Sequence, residues 1–206
     1  MQKSLDFFPA IEKKSFLGGE LVLLTNFLSA QKANEMLQFL IKNAHWQQSE
    51  IVVYGKKHLE PRFTAWYADP GLEYSYSKKR LIPEKWLTEL INLKQDIEQT
   101  VPGTTFNSVL LNYYRDGNDK MGWHADNEKE LGPNPCIASL SLGAARYFDL
   151  KHKTDPTQKL RLELTAGTLV IMSGTLQENW LHQIPQQKRI KEPRINLTFR
   201  QVISFV

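Results

Sequence analysis

One cysteine, Cys136, is all the thiol chemistry in this chain. A lone thiol cannot close an internal disulfide, so a reducing cytoplasm is the expected location. Cys136 follows Pro133 and Pro135 and precedes an apolar run. That setting suits a buried structural thiol, with a nucleophile as the alternative. No apolar run approaches the roughly 20 residues of a membrane-spanning helix. The opening MQKSLDFFPAIEKK lacks the long apolar core of a signal peptide. Repeats, low-complexity stretches and linkers are missing too. At 206 residues the chain is read as one domain with room for a substantial core.

Charge is mildly basic, with 26 Lys and Arg against 22 Asp and Glu. That excess alone excludes little. Its distribution says more, because three short basic runs fall in turn-like segments: Lys56-Lys57-His58, Lys78-Lys79-Arg80 and Lys188-Arg189-Ile190-Lys191. Each could be a solvated face. Together, with aromatic residues near two of them, they favour a polyanionic partner; the chain is separately expected to be a monomer.

The pattern of elements starts with a loose arm over residues 1–15 and one domain over residues 16–206. Residues 20–26 read as a strand. Ser29 is placed to cap a helix over 30–43, whose apolar positions are Ala33, Met36, Leu37, Leu40 and Ile41. Strands are expected at 51–54 and 62–67, within a region of hairpins at about 50–82. Pro83 opens a second helix running to Gln99. From Phe106 onward short strands dominate: 108–113, 137–141, 145–151, 158–163, 168–173, 182–184 and 194–203. The expected fold class is α+β. A double-stranded β-helix, or jelly-roll, core at about 104–206 has the N-terminal helices packed on it.

His124-Ala125-Asp126 with His182 downstream supplies two imidazoles and a carboxylate, the ligand set of a facial triad for non-haem Fe(II). On an extended strand His124 and Asp126 would share a face. The run Arg194-Ile195-Asn196-Leu197-Thr198-Phe199-Arg200 puts Arg194, Asn196, Thr198 and Arg200 on one face of a strand. Two inward arginines near a metal need anions, which a dicarboxylate cosubstrate would supply. Ordinary structural ion pairs are the alternative.

In order, the chain carries Asn112-Tyr113-Tyr114, His124-Ala125-Asp126, Ser139-Leu140-Ser141-Leu142-Gly143, Trp180-Leu181-His182 and Arg194 through Arg200. Over about residues 54–206 it resembles the AlkB family of Fe(II)- and 2-oxoglutarate-dependent dioxygenases, which repair alkylated nucleic acid. Phe106 through Asp116 and the run Glu130-Leu131-Gly132-Pro133 bring it nearer to the animal DNA-repair branch than to the founding bacterial enzyme. The resemblance implies a catalytic centre of His124, Asp126 and His182 as iron ligands. It implies that Arg194 and Tyr114 meet the distal carboxylate of 2-oxoglutarate. Arg200 and Asn112 would lie near its C1 carboxylate and keto group, with Asn196 in the same site. O2 would be the second cosubstrate. An arginine fork fits a carboxylate bidentately and so fixes its orientation.

The same resemblance implies that Tyr74 and Tyr76 grip a flipped base, with Tyr76 stacking opposite His124. Core tyrosines are the alternative. Glu128 would face the exocyclic amine, or be a solvated loop acid. Tyr54, at the tip of a hairpin through Val52-Val53-Tyr54-Gly55, would fill the gap left in a duplex. Lys188, Arg189 and Lys191 would contact phosphates near the active-site mouth. Arg146 through Leu150, and Trp180, read as structural. His45, His58 and His152 have no ligand-like spacing.

The expected activity is oxidative demethylation of 1-methyladenine and 3-methylcytosine in DNA, releasing formaldehyde, succinate and CO2. Three readings stay open beside it: the same chemistry on RNA, the same chemistry on protein, and a non-catalytic nucleic-acid-binding module. The segment Gln2 to Phe8 also resembles peptides that bind the bacterial sliding clamp.

Overall fold

The computed structural model describes residues 10–16, 19–53, 55–72, 74–76, 79–81 and 83–203. Two antiparallel sheets face each other. The larger has seven strands in the order β1 (Ala10–Phe16), β2 (Gly19–Thr25), β13 (Leu169–Gly174), β10 (Ile137–Gly143), β15 (Arg194–Arg200), β8 (Ser108–Tyr114) and β5 (Phe63–Ala68). The smaller has four, in the order β12 (Lys159–Leu164), β11 (Arg146–His152), β14 (Trp180–Ile184) and β9 (Met121–His124). The non-sequential strand order and the two facing sheets are the expected jelly roll. Two small hairpins stand apart from them, β3 (Glu50–Val53) with β4 (Lys56–Leu59) and β6 (Tyr74–Tyr76) with β7 (Lys79–Leu81).

Helix α1 (Ala30–Asn43) begins where the Ser29 hydroxyl accepts a bond from the Lys32 backbone N–H at 3.2 Å. This satisfies one donor of the first turn. Its buried face, Ala33, Leu37 and Leu40, joins Leu90, Leu93 and Ile97 of α2 (Thr88–Thr100) in one core cluster. Val109, Leu111, Leu140, Ile195, Leu197 and Phe199 complete that cluster from the large sheet. The helices therefore cover the outer face of the large sheet. A second cluster, including Leu23, Val170, Phe148, Leu150, Leu162 and Ile184, fills the space between the sheets. Cys136 is half-buried against the helix-side core, and burial pushes its thiol pKa up. An inert structural thiol fits that environment.

Met121–His124 forms a strand and Leu176–Asn179 a short helix where none was expected, the last strand ends at Arg200 rather than at residue 203, and two further differences have a physical reason. Residues 10–15, read as part of a loose arm, lie in β1, which pairs along its length with β2. Its described side chains are exposed, apart from the half-buried Lys14. With neither face buried, an edge strand leaves no alternation to read. Residues 83–87 are not helical. Glu84 bridges to Tyr67 instead, donating to the Trp66 carbonyl at 2.8 Å and accepting from Ala68 at 3.4 Å. The edge of β5 takes up this backbone before α2 begins.

Candidate metal and cosubstrate site

His124 ends β9 and His182 lies in β14, directly opposite each other in the ladder. Their rings sit 4.2 Å apart, edge to face. Between this pair and the next, Ile184 with Met121, the register slips, so Gly122 and Trp123 together oppose Gln183. A bulge of this kind re-aims side chains beside functional sites. Here Met121 and His124 both line the cavity while Trp123 turns outward, 40% exposed.

Asp126 lies just past the end of β9, off the ladder. It is nevertheless buried, with one carboxylate oxygen 4.0 Å from His124 Nε2 and the other 4.0 Å from His182 Nε2. Arg200 Nη2 donates to Asp126 Oδ1 at 2.8 Å. Burial alone would raise the Asp126 pKa. The Arg200 guanidinium, by its charge and its hydrogen bond, is the main influence that outweighs it and holds the carboxyl below its ordinary value. Burial and then the neighbouring His124 push His182 down to about 3, which keeps its ring neutral with a lone pair to donate.

The opposite wall of the cavity belongs to the large sheet. Asn112 and Tyr114 of β8, Ser139 of β10, and Asn196, Thr198 and Arg200 of β15 face inward. The intervening Leu111, Leu140, Ile195, Leu197 and Phe199 face the helices, so the strands alternate as expected. Arg62 Nε donates to Asn112 Oδ1 at 2.7 Å, which leaves the Asn112 amide nitrogen as the group free to turn to a ligand. Leu110, Phe148, Met172 and Ile184 add apolar lining.

Arg194 is fully buried behind this wall. One nitrogen, Nη2, reaches Ser141 Oγ at 2.9 Å and Asn196 Oδ1 at 2.8 Å. Its Nε and Nη1 have no hydrogen-bond partner among the described residues. Two guanidinium groups lie over the Tyr114 ring, that of Arg194 at 5.3 Å and that of Arg146 at 5.5 Å from its centroid. Burial draws Arg194 down to about 10, still cationic at neutral pH. Unmade donors on a buried cation are costly, and an incoming carboxylate would satisfy them. The donor set fits Fe(II) equally well: two imidazoles and one carboxylate on one side of a cavity, with their ligand atoms within 4.8 Å of one another.

A family model described as the 2OG-Fe(II) oxygenase superfamily matches residues 20–200. The chain belongs to this superfamily. Within it the chain sits among the AlkB homologues. It is 39% identical over 189 residues to the mouse alpha-ketoglutarate-dependent dioxygenase alkB homolog 3, covering 87% of this chain and 65% of that protein. It is 38% identical over 182 residues to the human DNA oxidative demethylase ALKBH2, covering 84% of this chain and 69% of that protein. The chain thus spans just under two thirds of the alkB homolog 3 relatives and slightly more of human ALKBH2. The solved structure of OsALKBH1 matches with a TM-score of 0.64 at 19% identity, covering 88% of this chain and 97% of that one. That likeness supports the same fold.

Among the expected oxygenase residues, Asn112, Tyr114, His124, Asp126, His182, Asn196 and Arg200 meet around one cavity, with Arg194 behind it. Lys188, Arg189 and Lys191 are exposed on the loop after Ile184. Arg146 fixes that loop, donating to the Pro185 carbonyl at 2.8 Å and to Gln187 Oε1 at 3.1 Å. Glu128 precedes a 3-10 turn at Lys129–Leu131, and its Oε2 is buried with no hydrogen-bond partner among the described residues. Tyr74 and Tyr76 lie in β6, where only the backbone is described. Tyr54 lies outside the described residues, as does the segment Gln2 to Phe8.

Four neighbours of the site carried no sequence signal. Arg62 and Gln177 are buried polar residues whose partners are far along the chain. Phe148 packs 5.3 Å from the His182 ring, although its strand reads as purely structural. Met172 is an apolar position among many. Its only clue is that β13 faces the same interior as β10, which a sequence shows only once pairing is known.

Proposed function

We propose that this chain is a DNA repair enzyme that oxidatively demethylates 1-methyladenine and 3-methylcytosine. The observation that carries the reading is the His124–Asp126–His182 cluster, with Asp126 and His182 buried, facing a polar wall that ends in Arg194 and Arg200. The DNA oxidative demethylase name of the ALKBH2 relatives supports the substrate class. His124, Asp126 and His182 would hold Fe(II), which when bound would supply the activation of O2 and the oxidation. Arg194 holds the distal carboxylate of 2-oxoglutarate. Arg200 and the oriented Asn112 amide keep the other end beside the metal ligands. Phe148, Ile184 and Met121 shed water from the reacting face.

In balance, one O2 delivers one oxygen atom to succinate, formed as 2-oxoglutarate loses CO2, and the other to the N-methyl carbon. The resulting hemiaminal breaks its C–N bond, the electron pair staying on the ring nitrogen, and leaves formaldehyde, a released proton and the neutral base. Both proposed lesions are cationic. The unpartnered Glu128 carboxylate oxygen supports a role in holding them. Tyr74 and Tyr76 would stack on the extruded base and Tyr54 would fill the duplex gap. Lys188 and Arg189 would bind phosphates, giving salt-dependent affinity without sequence preference. The single cysteine supports a reducing, cytoplasmic setting. Docking of residues 2–8 on a sliding clamp is a further element of the proposal. Deleting residues 1–8 without changing clamp affinity would remove it.

The test uses protein loaded anaerobically with Fe(II), then given 2-oxoglutarate, O2 and an oligonucleotide with one 3-methylcytosine. Mass spectrometry should read the loss of one methylene mass from DNA, more slowly from matched RNA, and not with His124→Ala. Succinate formed with the oligonucleotide unchanged would reject this substrate and retain the oxygenase. Neither product would leave a nucleic-acid-binding module.

A further inference from the structure

The three candidate metal ligands are not held in the same way. His124 and His182 are fixed by facing each other across the β9–β14 ladder. Asp126 has left the strand, so no ladder bond defines its backbone. One long-range contact does. The Asp126 backbone N–H donates to Gln177 Oε1 at 3.0 Å.

Gln177 is built into its place. It is 1% exposed, in the short helix α3 (Leu176–Asn179) that joins β13 to β14. Its amide nitrogen donates to Met172 Sδ at 3.4 Å, which fixes the amide with its oxygen toward Asp126. The Lys153 ammonium holds the last turn of the helix, donating to the Gln177 carbonyl at 3.1 Å and the Glu178 carbonyl at 2.5 Å. On its other side the helix presses on β2 so closely that a Cβ at Gly19 would lie 2.7 Å from Leu176 Cβ. The glutamine thus hangs from a clamped element leading directly into the strand that carries His182. An amide buried this deeply is costly unless both ends are bonded, and here both are.

We infer that Gln177 is a positioning residue for the metal centre, tying the backbone of Asp126 to the His182 strand so that the carboxylate meets both imidazoles before metal arrives. The inference rests on the metal-site reading above and deepens it. Without the glutamine oxygen, Asp126 keeps its side-chain partner Arg200 and loses its backbone anchor. Metal must then order the loop itself, and affinity falls.

The experiment titrates Co(II), an Fe(II) surrogate with visible absorption, into metal-free protein under chelator competition. It also measures how far saturating Co(II) raises the Tm. Gln177→Met keeps length and bulk but removes the acceptor, while Gln177→Glu keeps an acceptor oxygen. The Met variant should bind Co(II) about 10–100-fold more weakly, the range seen when supporting partners of metal ligands are lost. Its metal-induced rise in Tm should shrink accordingly. The Glu variant should stay within about threefold of the parent.

A lower metal-free Tm with unchanged affinity and unchanged metal increment would overturn the inference, since that is the signature of a packing role alone. Equal weakening in both variants would overturn it as well. Should Gln177→Met fail to fold, Lys153→Met loosens α3 from outside the site. It should weaken Co(II) binding about threefold, and unchanged binding would count against the proposal. Parent protein that binds no Co(II) would instead sink the metal-site reading itself.

Discussion

The two sheets of the sandwich divide the site between them. The middle of the seven-stranded sheet is covered on both faces, by helices outside and by the smaller sheet inside. Every residue of β15 is buried, and nearly every residue of β8 and β10. The four-stranded sheet is covered on one face only, and β12 and β14 alternate between buried and more accessible residues. The covered sheet carries the polar wall proposed for the cosubstrate. Its Ser139, Ser141, Asn196 and Thr198 bond one another and Arg194. The half-open sheet carries both histidines. Rigid, desolvated donors suit recognition of a fixed anion, whereas a metal and its exchanging ligands need a side that opens.

The largest effect that could break this division comes from Asp126, which both sheets share through His124, His182 and Arg200. Asp126→Ala removes an anionic ligand and leaves the buried Arg200 guanidinium without this carboxylate. Co(II) or Fe(II) binding should weaken by at least about 100-fold, and the proposed demethylation should be lost. Next comes Arg194→Met, confined to the covered sheet. Losing the charge-assisted donors should raise the KM for 2-oxoglutarate about 10–100-fold. Co(II) affinity should stay at the parent value, measured by the same chelator competition. A fall in metal affinity with Arg194→Met would show that the walls do not act separately.

A third prediction addresses folding. Leu111 of β8 is fully buried on the helix side. Leu111→Ala should cost about 2–5 kcal/mol, through lost transfer energy and the cavity left behind. Urea unfolding of the metal-free protein would read it. A cost below about 1 kcal/mol would mean that the helices do not cover this sheet as tightly as the burial implies.

How much was legible follows the same division. Strand β15 could be read because polar and apolar residues alternate from Arg194 to Arg200, and each set faces a different buried environment. Helix α1 could be read because Ser29 and the apolar spacing agree. Strand β1 could not, because an exposed edge strand carries no periodic signal. The pairing of His124 with Asp126 was expected from a shared strand face. They do share a site, but through a chain that has left the strand and is held by Gln177. That glutamine bonds a backbone N–H 51 positions away, a contact independent of the identity of residue 126. Arg62 is a similar case, reaching Asn112 across 50 positions. Periodicity reports which way a residue faces; it carries no sign of a single buried amide closing a long loop.

The smallest effect should come from the open face of the small sheet. There Arg161 pairs with Asp149 through two bonds, Nε to Oδ1 at 2.6 Å and Nη2 to Oδ2 at 2.9 Å, and also lies over the Tyr147 ring. The Arg161 side chain is 59% exposed, so solvent screens most of the attraction. Arg161→Gln should lower the Tm by less than about 2 °C near neutral pH. The pH dependence gives the sharper check. Arg161, by hydrogen bonding, holds the Asp149 carboxyl below its ordinary value, with Gln183 assisting. A depressed carboxyl pKa adds stability above the unfolded-state value, and this is lost as pH falls through the folded-state value. The Tm difference between parent and Arg161→Gln should therefore be present at neutral pH and close as the solution is acidified through the carboxylate range. A difference that persists in acid would assign the contribution of Arg161 to its packing over Tyr147 rather than to its charge.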